Sequence, residues 1–154
     1  GPVDLAAPAR VKLVRVETAR QMWAACEAEL PADIAVCAAA VADWRSADAS
    51  ERKIKKNGGA PPALKLVENP DILATLSAHG NMRPRLVIGF AAETESVEQN
   101  ARTKLLKKNL DMIAANEVGD AKVFECEDNH LIVLSRTARH DLVAVWPSVY
   151  ARRE

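Results

Sequence analysis

The chain has 154 residues, a hydrophobic content of 49% and a charged content of 27%, values typical of a globular domain with a sizeable core. Its formal net charge of zero argues against a broad nucleic-acid-binding surface, and no apolar stretch reaches membrane-spanning length. The cysteines are scattered, and we expect Cys26 and Cys37 to be buried free thiols of a protein from a reducing cytoplasm.

The first part of the chain predicts a β-α-β unit. Val11–Val16 has the partial alternation of a short strand, and Thr18 with Gln21 forms a capping box at the start of a helix. Apolar residues then recur on one helical face until Pro31. The continuous apolar run Ile34–Ala42 predicts a strand buried on both faces, parallel to the first strand.

Polar chemistry begins where this apolar run ends. Asp43 follows it directly, and the basic cluster Lys53–Lys56 precedes an Asn-Gly-Gly segment, a combination that predicts a mobile, positively charged flap. Open α/β sheets bind their ligands at the carboxyl ends of strands, so we expect a site here.

The middle of the chain predicts another helix start and another strand. Asn69 is placed as an N-cap, with Pro70 at the first helical position and Asp71 in the first turn, where backbone N–H groups suit a polar or anionic ligand. The segment 63–67 alternates weakly as a strand, and Arg85–Phe90 is typical of a buried strand.

A third helix and a different topology are predicted beyond that strand. Ser96 and Gln99 form a second capping box, and acids at the start of this helix with bases at its end match the helix dipole. Asp111–Asn116 predicts a further strand, and Leu131–Leu134 with Leu142–Val145 predicts an antiparallel hairpin at a sheet edge. Two further elements are expected, a short strand over 122–124 and a terminal helix over 148–154.

Several common sites are not supported by the sequence. His79, His130 and His140 are far apart and not spaced with the cysteines, so structural zinc is not expected. The chain has no Gly-x-Ser-x-Gly elbow, no Gly-x-Gly-x-x-Gly fingerprint and no P-loop.

The remaining candidates are polar or aromatic groups at predicted strand and helix ends. Each has an ordinary structural explanation when taken alone: Lys104 and Lys108 as a solvated helix end, Asp43 as a turn residue, Phe90 as core. Lys104 and Lys108 are four residues apart and share one helical face. The joint placement of Asp43, Lys53, the Asn69-Pro70-Asp71 helix start, Phe90 and these two lysines around one edge of a sheet leaves a binding site and ordinary structural roles equally open.

Five ordered motifs resemble one bacterial family. They are Ala39-Ala40-Val41-Ala42-Asp43-Trp44-Arg45, Lys53-Ile54-Lys55-Lys56, Leu66-Val67-Glu68-Asn69-Pro70-Asp71-Ile72-Leu73, Val87-Ile88-Gly89-Phe90-Ala91-Ala92-Glu93-Thr94, and Lys104 to Asp111 followed by Ala114-Ala115-Asn116-Glu117. The chain is similar over nearly its whole length to phosphopantothenoylcysteine synthetase, the phosphopantothenate–cysteine ligase half of a bifunctional decarboxylase/ligase of coenzyme A synthesis.

The resemblance implies an α/β, Rossmann-like three-layer fold with a mostly parallel sheet and a C-terminal antiparallel hairpin, in a homodimer. It implies a reaction in which CTP, with Mg²⁺, activates the carboxylate of 4'-phosphopantothenate as an acyl-cytidylate. The cysteine amine then attacks, releasing CMP. The residues that match the family's CTP site are Val36, Cys37, Ala38, Asp43, Lys53, Pro70, Asp71, Ile72, Leu73, Phe90, Lys104 and Lys108. Lys53 is implied as the catalytic residue and Asp43 as a metal ligand.

One departure from the family pattern shapes the expected activity. The family's ligase domain begins with a strand and a glycine-rich segment that contact substrate, and both lie upstream of anything in this sequence. We therefore expect residues 1–154 to carry most of the CTP site without catalysing ligation alone. The alternative is a non-catalytic nucleotide-binding or dimerisation module of the same fold.

Overall fold

A computed structural model describes residues 6–48, 63–118 and 128–145, with side chains in the last range limited to 130–142. The helices in these ranges are α1 (Ala19–Glu27), α2 (Ile72–Ser77) and α3 (Val97–Lys107), with a 3-10 turn at Gly80–Met82. The strands are β1 (Ile34–Cys37), β2 (Trp44–Ser46), β3 (Leu66–Glu68), β4 (Leu86–Glu93), β5 (Met112–Glu117), β6 (Asp128–Ser135) and β7 (Arg139–Val145).

The chain divides into two compact units. The first unit includes α1, β2 and β3 and ends at Ile72, whereas the second includes Glu29–Ala39 and the described residues from Leu73 onward. The second unit therefore contains the larger sheet and the first contains the small one.

The sheet of the second unit has the strand order β1-β4-β5-β6-β7. β1, β4 and β5 are parallel, with Val36 opposite Ile88 and Phe90 opposite Ala114. β6 runs antiparallel to β5 and forms an antiparallel hairpin with β7. The predicted Rossmann-like α/β fold with a C-terminal hairpin at the sheet edge is confirmed.

The core of the second unit lies where α3 packs on one face of this sheet. Ala101 and Leu105, four residues apart on α3, are fully buried against Val87 and Ile113 of the strands. Burying one large aliphatic side chain stabilises the folded state by about 1.5–3 kcal/mol. Because this contact is extensive, α3 is held firmly alongside β4 and β5.

Two predictions for the first part of the chain are wrong. Val11–Val16 forms no strand, and Val11 and Leu13 are 54% and 55% exposed, so the alternation there does not place its apolar residues against a sheet of the described part of the chain. The apolar run forms only the short β1, which lies at the sheet edge, with Ile34 and Val36 59% and 66% exposed rather than buried on both faces. The pattern identified the strand but not its place in the sheet.

The two predicted capping boxes have different outcomes. Thr18 Oγ1 accepts from the Gln21 backbone and Gln21 Oε1 accepts from the Thr18 backbone, as predicted. Ser96 is in the left-handed region at φ 48° and makes no side-chain cap bond, so the second box is wrong. A capping side chain reaches the helix only when its own backbone is extended, a condition that Ser96 does not meet. The acid-first, base-last charge pattern of α3 is confirmed, since Glu98 lies in its first turn and Lys104 in its last.

In the first unit, β2 and β3 pair antiparallel, with Trp44 opposite Glu68. The elements predicted over 53–56, 122–124 and 148–154 lie outside the described residues. None of the described helices has the length and apolar character needed to cross a membrane.

Candidate functional site

The predicted site residues fall on both units. In the second unit, Val36, Cys37 and Ala38 lie at the carboxyl end of β1, and Phe90 lies near that of β4. Because the two strands are parallel and Cys37 pairs with Gly89, these groups lie at one edge of the sheet. The predicted grouping of strand-end residues is therefore present within this unit.

The sheet itself separates these groups into two sets. Side chains alternate between faces along a strand, so Phe90 lies on the face opposite Ala91, which packs in the core under α3. Val36 shares the Phe90 face through its register with Ile88, and Phe90 is 38% exposed. An apolar, accessible face is thus available for a flat group, on the side away from the lysines of α3.

Lys104 lies on the α3 side and makes a short ion pair. Its Nζ lies 2.6 Å from Oε1 of Glu93, the last residue of β4. The Lys104 side chain is 47% exposed whereas that of Glu93 is 12% exposed. Lys108, one turn further on, is the C-cap of α3. The helix therefore offers one cation at a strand end and a second cation at its own terminus.

Asn116 is a polar group of this unit that the predicted set omits. It lies at the end of β5, opposite Ala92, and is 6% exposed. Among the described residues, its Oδ1 has no hydrogen-bond partner. A buried carbonyl oxygen without a partner is costly, and such an atom at a strand end is typical of a ligand site. In the sequence, this residue could have been recognised as a candidate because a polar side chain, Asn116, ends a buried apolar strand.

In the first unit, Asp43 and the segment before α2 are joined by Asn69. The backbone N–H of Asn69 donates to the Asp43 carbonyl at 2.8 Å, and its Nδ2 donates to the Ala42 carbonyl at 2.8 Å. The side chain of Asp43 is exposed. The first unit continues from Asn69 through Pro70, Asp71 and Ile72. Leu73, the second residue of α2, belongs to the second unit.

The predicted helix start at Asn69 is wrong. α2 begins at Ile72 and has six residues, and the Asn69 side chain bonds to Ala42 and Arg45 instead of capping. Asn prefers an N-cap locally, but a partner distant in sequence supplies stronger geometry here. So short a helix has too small a dipole to be an anion site by itself.

The catalytic and metal assignments remain predictions. Lys53 lies outside the described residues. Within the ranges that the structure describes, no three His, Cys, Asp or Glu side chains are grouped to hold a metal. Mg²⁺ is often held by one carboxylate together with substrate phosphates, and the exposed Asp43 fits that role rather than a protein cage.

The two described cysteines, Cys26 and Cys37, are thiols outside any disulfide and are half-buried rather than fully buried. Burial raises the pKa of the Cys26 thiol, so this group stays protonated and unreactive at neutral pH. Cys26 is therefore a packing residue, while Cys37 belongs to the candidate site through its place at the end of β1.

The family model for the DNA/pantothenate metabolism flavoprotein C-terminal domain matches residues 1–147. The chain belongs to this family. The resemblance to the ligase half of a bifunctional coenzyme A biosynthesis protein is confirmed.

Curated relatives of this flavoprotein C-terminal domain carry the name coenzyme A biosynthesis bifunctional protein CoaBC. The protein of Haemophilus influenzae is 42% identical over 132 residues, which cover 85% of this chain and 32% of the relative. That of Escherichia coli K12 is 45% identical over 135 residues, covering 85% of this chain and 33% of the relative. The chain thus spans about a third of the length of the relatives it matches.

Solved structures agree with the fold. The C-terminal domain of a coenzyme A biosynthesis bifunctional protein CoaBC superposes with a TM-score of 0.69 at 29% identity, covering 96% of this chain and 63% of that structure. The DNA/pantothenate metabolism flavoprotein of Streptococcus pneumoniae gives a TM-score of 0.71 at 14% identity, covering 94% and 71%, and supports the fold alone.

Proposed function

We propose that this chain carries the CTP site of a phosphopantothenate–cysteine ligase of coenzyme A biosynthesis. The observation that carries the proposal is the family match over 1–147, together with relatives named for coenzyme A biosynthesis and the strand-end groups at β1 and β4. A second catalytic domain in the same polypeptide is part of the proposal, since the relatives are named bifunctional.

The chemistry of the proposed reaction proceeds in two steps. The carboxylate of 4'-phosphopantothenate attacks the α-phosphorus of CTP, forming an acyl-cytidylate and releasing pyrophosphate. The amine of cysteine then attacks the acyl carbon, forming the amide, losing a proton and releasing CMP. Both steps shift negative charge onto phosphate oxygens, and fixed cations stabilise that shift.

The described residues have distinct parts in this proposal. The exposed faces of Phe90 and Val36 suit a flat base, and the backbone of Val36–Ala38 suits recognition of its polar edge. Lys104 and Lys108 are the cations for phosphate. Asp43 is the protein carboxylate that would hold Mg²⁺, which would neutralise charge on the triphosphate.

Calorimetric titration of the chain with CTP, ATP and NAD, each with magnesium, tests the proposal. We expect CTP to bind at least about tenfold more tightly than ATP, because a pocket that hydrogen-bonds one base edge leaves polar groups unpaired with another. Equal affinity for CTP and ATP would instead favour a general nucleotide-binding module. No binding of either nucleotide would reject the site on this chain.

A further inference from the structure

Glu93 is a partly buried acid that lies beside the proposed phosphate-binding lysine. Its carboxylate ends β4, where its Oε1 accepts a hydrogen bond from Lys104 Nζ at 2.6 Å. Its other oxygen, Oε2, accepts from Asn100 Nδ2 at 3.4 Å. Both carboxylate oxygens are thus engaged by side chains of α3, three and seven residues after the start of that helix.

The supports of this carboxylate are themselves held in place. Asn100 Nδ2 also donates to the Glu95 carbonyl at 3.0 Å, which ties the segment before α3 to the helix. Between the two donors lies Ala101, which is fully buried, and after Lys104 comes Leu105, which is also fully buried. The helix cannot rotate without breaking the core, so the positions from which Asn100 and Lys104 reach Glu93 are set.

The burial of Glu93 distinguishes this pair from an ordinary surface ion pair. Its side chain is 12% exposed, whereas Glu98 and Arg102, an ion pair on the same helix, are 42% and 43% exposed. A carboxylate that is largely removed from water requires a permanent partner, so Lys104 is retained beside it. An exposed pair exerts no such constraint, because water replaces either partner at little cost.

The ammonium of Lys104 keeps capacity for a further ligand. A lysine has three N–H donors, and the short bond to Glu93 uses one of them. The Lys104 side chain is still 47% exposed. A phosphate that approaches the ammonium therefore meets a lysine whose flexible stem is already ordered, which removes part of the entropy cost of binding.

We propose that Glu93 is a positioning residue, which holds Lys104 in the conformation that binds a phosphate of the nucleotide. The proposal rests on the proposed CTP site and adds to it a residue that does not itself contact the ligand. The bound arrangement is a carboxylate, an ammonium and a phosphate in series, with Asn100 orienting the carboxylate from behind.

The test is a double-mutant cycle on CTP affinity, measured by calorimetry on the 154-residue chain. We expect Glu93→Ala to weaken CTP binding about three- to tenfold, the effect of freeing one long side chain. In a Lys104→Gln background, Glu93→Ala should have no further effect. Glu93→Gln, which keeps an oxygen acceptor for Lys104, should retain most of the affinity.

Two controls separate positioning from general damage. Glu98→Ala removes two exposed ion pairs, to Arg102 of the same helix and to Arg139 of β7, and should leave CTP affinity unchanged. Asn100→Ala should weaken CTP binding about twofold through the carboxylate it orients, and it replaces the Glu93→Ala variant if that variant does not fold.

Each outcome supports or overturns the proposed function, the role of Glu93, or both. If the wild-type chain does not bind CTP, the proposed function and this inference both fail. If it binds CTP while Glu93→Ala binds equally well or more tightly, Glu93 does not position Lys104 and only this inference is overturned. Equal losses with and without Lys104 would also overturn it, because a positioning effect must vanish with the group that is positioned.

Discussion

Asn69 Nδ2 donates a hydrogen bond to the carbonyl oxygen of Ala42 at 2.8 Å, across 27 positions of sequence. The Asn69 backbone N–H donates to the Asp43 carbonyl, also at 2.8 Å, and Arg45 donates to Asn69 Oδ1 at 3.3 Å. One side chain thus joins the turn that carries Asp43 to the segment that begins at Pro70. Both segments belong to the proposed CTP site.

Replacing Asn69 tests this connection. We expect Asn69→Ala to lower the free energy of unfolding by about 1 kcal/mol and to weaken CTP binding, because the Asp43 turn loses its side-chain support. Asn69→Asp keeps the acceptor for Arg45 but turns a carboxylate oxygen toward the Ala42 carbonyl, so it should lower the free energy of unfolding at least as much. Urea unfolding and calorimetry measure the two effects, and wild-type CTP affinity in Asn69→Ala would contradict the prediction.

Arg83 forms the main polar connection at the amino ends of the parallel strands. Its Nη2 lies 3.0 Å from Asp111 Oδ2, and its Nε donates to the Ser77 carbonyl at 2.9 Å. Asp111 Oδ2 also accepts from the Val87 backbone at 2.7 Å. Because these groups are only 22% and 33% exposed, their loss leaves partly buried charge and acceptors unpaired.

We therefore expect Arg83→Met to lower the free energy of unfolding by about 2 kcal/mol, measured by urea denaturation. The matched control is Arg85→Met. Arg85 Nη1 lies 3.9 Å from Asp33 Oδ1, and the two side chains are 86% and 87% exposed. Removing this pair should therefore leave the free energy of unfolding almost unchanged. Equal destabilisation by the two changes would show that burial does not distinguish these pairs.

Gly89 in β4 lies close against two leucine side chains. A Cβ placed there would lie 2.8 Å from Leu110 Cδ1 and 2.9 Å from Leu73 Cδ2. We expect Gly89→Ala to destabilise the protein by about 1–3 kcal/mol through overpacking. Since Leu73 packs at the margin of the core, the double variant with Leu73→Ala should show less than additive loss in thermal unfolding. Strict additivity would mean that the added methyl group does not press on Leu73.

Lys53 is the predicted catalytic cation of the flap. In a preparation that carries out the complete ligation, Lys53→Gln should lower turnover by on the order of a hundredfold, as for loss of one charge-stabilising donor, while CTP binding weakens mildly. Cysteine-dependent consumption of the acyl-cytidylate, followed by rapid quench, should suffer most. Lys56→Gln serves as the control, and turnover near the wild-type rate for Lys53→Gln would reduce Lys53 to a surface lysine.

Self-association is predicted through the hairpin edge. β7 ends the sheet order, and Leu142 on it is 52% exposed. Exposed strand edges tend to be paired or covered, so we expect a dimer by light scattering at high micromolar concentration. Leu142→Glu should shift the mass toward the monomer, whereas Thr137→Glu in the hairpin turn should not. A monomer mass for the wild-type chain would count against this interface.

Local sequence patterns predicted the elements whose signals are self-contained. The charge pattern of α3, the Thr18–Gln21 capping box and the β6–β7 hairpin are each specified within fewer than twenty residues, and each is present. The motif set also identified the family, because ordered motifs depend on sequence alone.

Tertiary structure decided which residues meet. Val11–Val16 alternates like a strand but forms none, and the Ile34–Ala42 run contributes an edge strand because β4 is the one strand of the described ranges that pairs with β1. Asn69 does not cap α2 because its side chain donates to a carbonyl 27 positions away in sequence. Glu93 contacts Lys104 because the buried face of α3 sets the rotation of that helix on the sheet. Periodicity along the chain determines which side of an element is buried, whereas strand order and long-range hydrogen bonds depend on free-energy differences between whole packings.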